Sequence, residues 1–155
     1  THDRFAWYGR GPHENYPDRK ESAAVGCYQE IVEPDAFPYI RPQEYGNKAD
    51  VRWAALTNPE GAGLLAVGLP LLHVGAKPFS QMQLTEAVNA VSLAPDSAVT
   101  LHLDFEMSGL GNGSCGPGTL PEYLIQPRRF HHEIRLRALK AGDNPAEISR
   151  APLPE

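Results

Sequence analysis

Only two cysteines, Cys27 and Cys115, occur among the 155 residues. Two cysteines cannot build the disulfide framework that staples small secreted domains. One bridge is open to them, but two thiols in a reducing compartment is the simpler reading, and the cytoplasm is the expected location. An excess of positive charge is lacking too. Fourteen Lys and Arg stand against nineteen Asp and Glu, for a net charge of −5 and a pI near 5.7. A nucleic-acid or anionic-membrane ligand needs a basic face, so neither partner is expected. No apolar run approaches the ~20 residues that span a bilayer. Thr1-His2-Asp3-Arg4-Phe5 lacks the basic-then-apolar pattern of a secretion signal. Long stretches free of helix breakers are also missing: 14 glycines and 15 prolines make up close to a fifth of the chain. Average usage is about 12%, and disorder-prone chains exceed about 25%. What remains is a turn-rich chain of single-domain size, able to bury a core unaided.

Such a chain favours short strands over long helices. Phe5–Tyr8 reads as a strand entering a glycine-rich loop, with polar, proline-broken residues 11–22 following it. Val25–Val32 alternates weakly. Pro34, Pro38, Pro42 and Gly46 mark an extended connector. Residues 51–69 read as a hairpin about the Asn58-Pro59-Glu60-Gly61 turn. Phe79–Leu84 alternates like a strand, and residues 85–93 leave room for one helical turn. The clearest alternation puts Val99, Leu101, Leu103 and Phe105 on one face and Thr100, His102, Asp104 and Glu106 on the other. Phe130–Ala138 repeats that pattern. The expectation is an all-β domain over 1–140, a β-sandwich of seven or eight strands with no long helix. Residues 141–155, poor in apolar side chains, read as a poorly ordered C-terminal tail.

Gly109-x-Gly111-x-Gly113 is not a dinucleotide fingerprint, because Pro117 and Pro121 prevent the helix that would hold a pyrophosphate. The run reads either as a tight rim loop or as backbone that passes close to a ligand. Cys115 within it has no local base or cationic neighbour to activate a thiolate, so it reads as a contact residue and not a nucleophile. His102, Asp104 and Glu106 recur at strand period, ~6.5–7 Å apart, but without a second ligand cluster a solvated polar face is favoured over a metal site. His131 and His132 point to opposite faces. Glu14, Asp18, Glu44, Asp104 and Glu106 supply carboxylates, and the Pro- and Gly-rich loops around Glu14 and Glu44 favour anchoring roles.

Three segments together resemble a known family. Trp7-Tyr8-Gly9-Arg10-Gly11-Pro12-His13-Glu14-Asn15-Tyr16-Pro17-Asp18-Arg19 is the first. Pro38-Tyr39-Ile40-Arg41-Pro42-Gln43-Glu44-Tyr45-Gly46-Asn47-Lys48-Ala49-Asp50-Val51-Arg52-Trp53 is the second. Ser108-Gly109-Leu110-Gly111-Asn112-Gly113-Ser114-Cys115-Gly116-Pro117 is the third. In order and spacing they are similar to segments of glycoside hydrolase family 2 β-galactosidases. The region resembled is the C-terminal small-chain domain, a galactose-mutarotase-like supersandwich of which this chain looks like the C-terminal half.

The resemblance implies a retaining hydrolase of terminal β-galactosides. Its two catalytic glutamates lie on a TIM-barrel domain of the same protein, so none carries over to this chain. It implies no cofactor in this fragment and leaves Mg and Na, where the parent uses them, to other domains. The expected partners are a β-galactoside substrate through the parent enzyme, the barrel domain, and further copies in a homo-oligomer. Ser114, Cys115 and Gly116 are the implied substrate-binding residues, on a loop at the rim of the active site. The lac-type bacterial enzyme has a stacking tryptophan at the position of Cys115, and relatives often have histidine at that of Asn89. Two alternatives stand beside this reading. A stand-alone carbohydrate-binding module would expose Trp7, Tyr8, Tyr16, Tyr45 and Trp53. Mutarotase-like chemistry would need a His–carboxylate pair, which no motif here supplies.

Overall fold

The computed structural model describes residues 2–33, 39–113 and 115–152. Strands β1 (Arg4–Gly11), β2 (Ala24–Ile31), β3 (Lys48–Thr57), β4 (Gly63–Lys77), β5 (Thr100–Asp104) and β6 (Glu133–Leu139) form one antiparallel sheet in the order β2-β1-β3-β4-β5, with β6 also on β4. The all-β expectation is met. The strand count is six among the described residues, not seven or eight, because Phe79–Leu84 is no strand.

The two faces of the sheet follow from strand alternation. Phe5 and Trp7 of β1 stand opposite Leu56 and Ala54 of β3 and build one core with Val51, Ala66, Leu72 and Val74. Val99, Leu101, Leu103 and Phe105 pack against it, as their alternation requires. Trp7 stacks on Phe5 with ring centroids 5.2 Å apart, and its Nε1 donates to Arg10 O at 3.0 Å. The other face carries a smaller cluster of Trp53, Ala55, Leu65 and Leu139.

The hairpin predicted over 51–69 forms, but β4 runs on to Lys77 through Pro70. Proline has no N–H for a ladder and belongs at a bulge. Here it lies where the β3 register shifts, Val51 pairing with Leu72 and Trp53 with Val67. On the other side of β4 it lies where β6, on residues 63–69, gives way to β5, on 73–77.

Helix α1 (Gln81–Glu86) replaces the strand expected at 79–84. Ser80 Oγ accepts from Gln83 N and the Gln83 side chain accepts from Ser80 N, a capping box whose hydrogen bonds outweigh a short alternation. Asn89 caps the following 3-10 turn, its side chain accepting from Ser92 N at 3.1 Å. Residues 141–152 are likewise not a frayed tail. Asn144 caps helix α2 (Pro145–Ser149), and Ala146 and Ile148 cover the Trp53 cluster. Two well-placed apolar residues and a cap suffice where composition alone suggested disorder. Of the connector expected over 34–47, residues 34–38 lie outside the described residues, and 39–47 form neither helix nor strand.

Candidate functional site

Four polar groups hold the first segment against the second. Asn15 is fully buried. Its Oδ1 accepts from Ala49 N at 2.8 Å and its Nδ2 donates to His13 O at 2.9 Å, while Asn47 Nδ2 donates to Asn15 O at 2.7 Å. Glu14 accepts from Tyr39 Oη at 2.6 Å, Gly46 N at 2.9 Å and Tyr16 Oη at 3.1 Å. Burial pushes the Glu14 carboxyl up, but these donors and the nearby Arg19 hold it below its usual value. Tyr39, buried against that carboxylate, is pushed up to about 12. Asp50 adopts a left-handed φ of 54° and receives Arg10 Nε at 2.6 Å and Lys20 Nζ at 3.0 Å. Burial raises its carboxyl, and these two cations more than reverse the effect.

The third segment is tied to the first. Asp18 Oδ1 accepts from Leu110 N at 3.0 Å, and Oδ2 from Gly111 N at 2.7 Å. Gly109 N donates to Tyr123 O at 2.8 Å and Thr119 Oγ1 to Gly109 O at 3.0 Å. Above this base the loop closes on itself through Asn112 N to Pro117 O, 3.0 Å, and Gly116 N to Asn112 O, 2.6 Å. Cys115 and Gly116 are exposed at the tip. Ser114 lies outside the described residues.

The sequence missed a third cluster. Lys77, 1% exposed at its side chain, forms an ion pair with Glu44, and its ammonium lies 5.2 Å from the Tyr45 ring centroid. Burial pulls Lys77 down to about 8, against Asp104 and Glu14. His102 Nε2 lies 3.9 Å from Glu44 Oε1. Burial, then the Lys77 charge, lowers the His102 pKa. The structure thus makes a His–carboxylate pair that no contiguous motif could reveal, since Glu44, just before β3, and His102 of β5 meet across β4 through the β3–β4 and β4–β5 pairings. Glu44, Asn47, His102, Asp104 and Glu106 border a cavity of about 180 Å³. Glu106 pairs with Arg128 and with His132 Nε2 at 3.0 Å. Among the described residues no group of three His, Cys, Asp or Glu is arranged to hold a metal ion.

Of the nominated aromatics, Trp7, Tyr16 and Trp53 are buried. They form no exposed stacking platform. The exposed aromatic among them is Tyr8, with Arg52 over its ring. No described helix is long and apolar enough to cross a membrane.

The three segments are therefore one connected polar framework carrying one projecting loop. A family model described as "Beta galactosidase small chain" matches residues 1–136. The chain belongs to the β-galactosidase small-chain family. It is 41% identical over 130 residues to a protein named beta-galactosidase from Priestia megaterium (strain DSM 319 / IMG 1521), covering 83% of this chain and 13% of that protein. It is 34% identical over 143 residues to one from Arthrobacter sp. (strain B7), covering 88% and 14%. Against the Kluyveromyces lactis protein of the same name it is 33% identical over 136 residues, covering 88% and 13%. The small-chain domain thus spans about one-seventh of the length of these relatives.

Proposed function

We propose that this small-chain domain is the C-terminal half of the small chain of a glycoside hydrolase family 2 β-galactosidase. The parent hydrolyses terminal β-galactosides with retention, using two carboxylates ~5–5.5 Å apart on a barrel domain outside this chain. The domain itself is not catalytic. It supplies the framework and presents the 109–118 loop, with Ser114, Cys115 and Gly116, to the rim of the active site. Any Mg or Na site belongs to the other domains, and the parent works in the cytoplasm as a homo-oligomer.

The observation that carries this reading is the use of the carboxylates. Glu14, Asp18, Glu44 and Glu106 are each committed to a partner that fixes the fold. With four of the five carboxylates committed in this way, and Asp104 facing the small cavity beside His102, the projecting loop is the chain's contribution to a larger site. The purified chain should show no turnover of a chromogenic β-galactoside, while the full-length protein turns it over. Turnover by the pure chain that survives an inactive-mutant control would overturn the proposal. In the full-length protein, Cys115→Ala should change KM modestly and keep kcat, as expected for a contact made equally in ground and transition states. Near-complete loss of kcat with an intact fold would assign chemistry to Cys115.

The cavity beside His102 favours a second reading, direct carbohydrate binding by the chain. Carboxylate and imidazole acceptors stand there beside the Asn47 amide, the mixture that sugar hydroxyls require. Calorimetric titration of the chain with galactose separates the two readings, since the first predicts no heat of binding.

A further inference from the structure

The tip of the 109–118 loop has open space at two of its glycines. A Cβ added at Gly113 or Gly118 would meet no atom within 4 Å. Asn112, Cys115, Gly116 and Pro117 are joined to one another by the hydrogen bonds that close the tip. This closed tip follows directly on residues 109–111, so the hydrogen bonds that hold this base bear on where the tip points. Two of the base's ties, Gly109 N to Tyr123 O and Thr119 Oγ1 to Gly109 O, run to the loop's own flank and move with it.

Among the described residues, Asp18 is the side chain outside the loop and its flanks that ties this base to the sheet framework. Tyr16 and Arg19 close the turn that presents it, with Arg19 N donating to Tyr16 O at 2.8 Å. The neighbouring Asn15 is locked to β3 through Ala49. The loop backbone is shaped to this carboxylate. A Cβ on Gly109 would stand 2.5 Å from Asp18 Cγ. Gly111 has a φ of +63°, which turns its N–H toward Asp18, and a Cβ there would collide with Thr119 N.

We infer that Asp18 is the positioning residue of the 109–118 loop: its carboxylate, bridging Leu110 N and Gly111 N, sets where Cys115 and Gly116 stand. The functional consequence rests on the rim reading proposed above. Burial raises the Asp18 carboxyl, and the Gly111 and Leu110 N–H groups, its own backbone and Arg19 bring it below its ordinary value. Asparagine is no substitute. Its amide can offer an oxygen to one N–H, but then turns an NH₂ donor toward the other.

The test is hydrogen exchange and steady-state kinetics on the full-length protein carrying Asp18→Asn. Gly109→Ala serves as a second variant, since it displaces the carboxylate from the loop side. Both should speed amide exchange across residues 108–118 by about tenfold or more, the effect of losing charge-assisted hydrogen bonds to a locally opening segment. Exchange in β3 should be unchanged. KM for a β-galactoside should rise about threefold or more, with kcat kept within about twofold. Unchanged loop exchange in a folded variant, or acceleration spread equally over β1 and β3, would overturn the positioning role. Faster loop exchange with unaltered kinetics would support the positioning role and overturn the rim reading instead.

Discussion

Asn15 shows how much one buried side chain organises. Its amide, backbone N–H and carbonyl join the first segment to residues 13, 47 and 49. Asn15→Ala should destabilise the chain by about 2 kcal/mol, because the Ala49 N–H is left buried without an acceptor. Denaturant unfolding at constant m-value measures this. Glu14→Gln should cost about the same order, since one oxygen facing Tyr39, Tyr16 or Gly46 becomes a donor.

Acid should weaken the same framework in two stages. His73 and His102 titrate below their ordinary 6.5 because burial disfavours the imidazolium. The unfolded chain therefore takes up protons first, and stability falls as pH drops from about 6.5. Glu14, Asp18 and Asp50 titrate below their ordinary 4.5, 3.8 and 3.8. Their contribution is complete above those values and is lost as pH falls through the lower, folded-state ones. Urea midpoints at pH 7, 5.5, 4 and 3 should descend in both intervals, and His102→Asn should flatten the upper one. A level profile from pH 7 to 3 would contradict the assignment.

At the scale of elements, α2 matters more than its five residues suggest. It seals Trp53, Leu65 and Leu139, and Arg135 of β6 clamps it by donating to Ile148 O at 2.5 Å and Ala151 O at 2.7 Å. Asn144→Ala should cost about 1 kcal/mol as a lost N-cap. Ile148→Ala should cost about 2 kcal/mol, with partial exposure placing it at the lower end for buried truncations. Trp53 fluorescence during thermal unfolding reports both, because α2 is its cover. An Asn144→Ala variant as stable as the parent would mean that α2 frays in solution.

Across the whole molecule, no described strand pairs with the outer edge of β2, where Val25 and Ile31 are 45% and 46% exposed, and Leu136 on β6 is 55% exposed. An unpaired antiparallel edge with apolar residues beside it is a template for pairing. The isolated chain should therefore self-associate with rising concentration. Sedimentation velocity checks this, and Val25→Lys should shift the distribution toward monomer. A clean monomer at high concentration would show that the edge is protected.

The residues themselves carried the strands with one apolar face, because strict alternation needs no long-range information: Leu101 and Leu103 go to the core and His102 and Asp104 away from it. They also carried the three segments of family resemblance and the exposed glycine loop. One difference was local, a capping box from Ser80 to Gln83, and the remaining features depended on partners distant in the chain. Phe79–Leu84 alternates like a strand yet is helical, since a capping box at Ser80 and Gln83 decides so short a run. The 141–152 segment orders because Trp53 and Leu65 wait on the far face for Ile148. Glu44, Lys77 and His102 become one cluster, and Asp18 reaches Leu110 and Gly111 across 92 and 93 residues, because the strand order brings them together. Local pattern determines which face a side chain takes. Only the tertiary structure decides which side chain it meets there, because each of these contacts joins residues with no short-range relation in the chain.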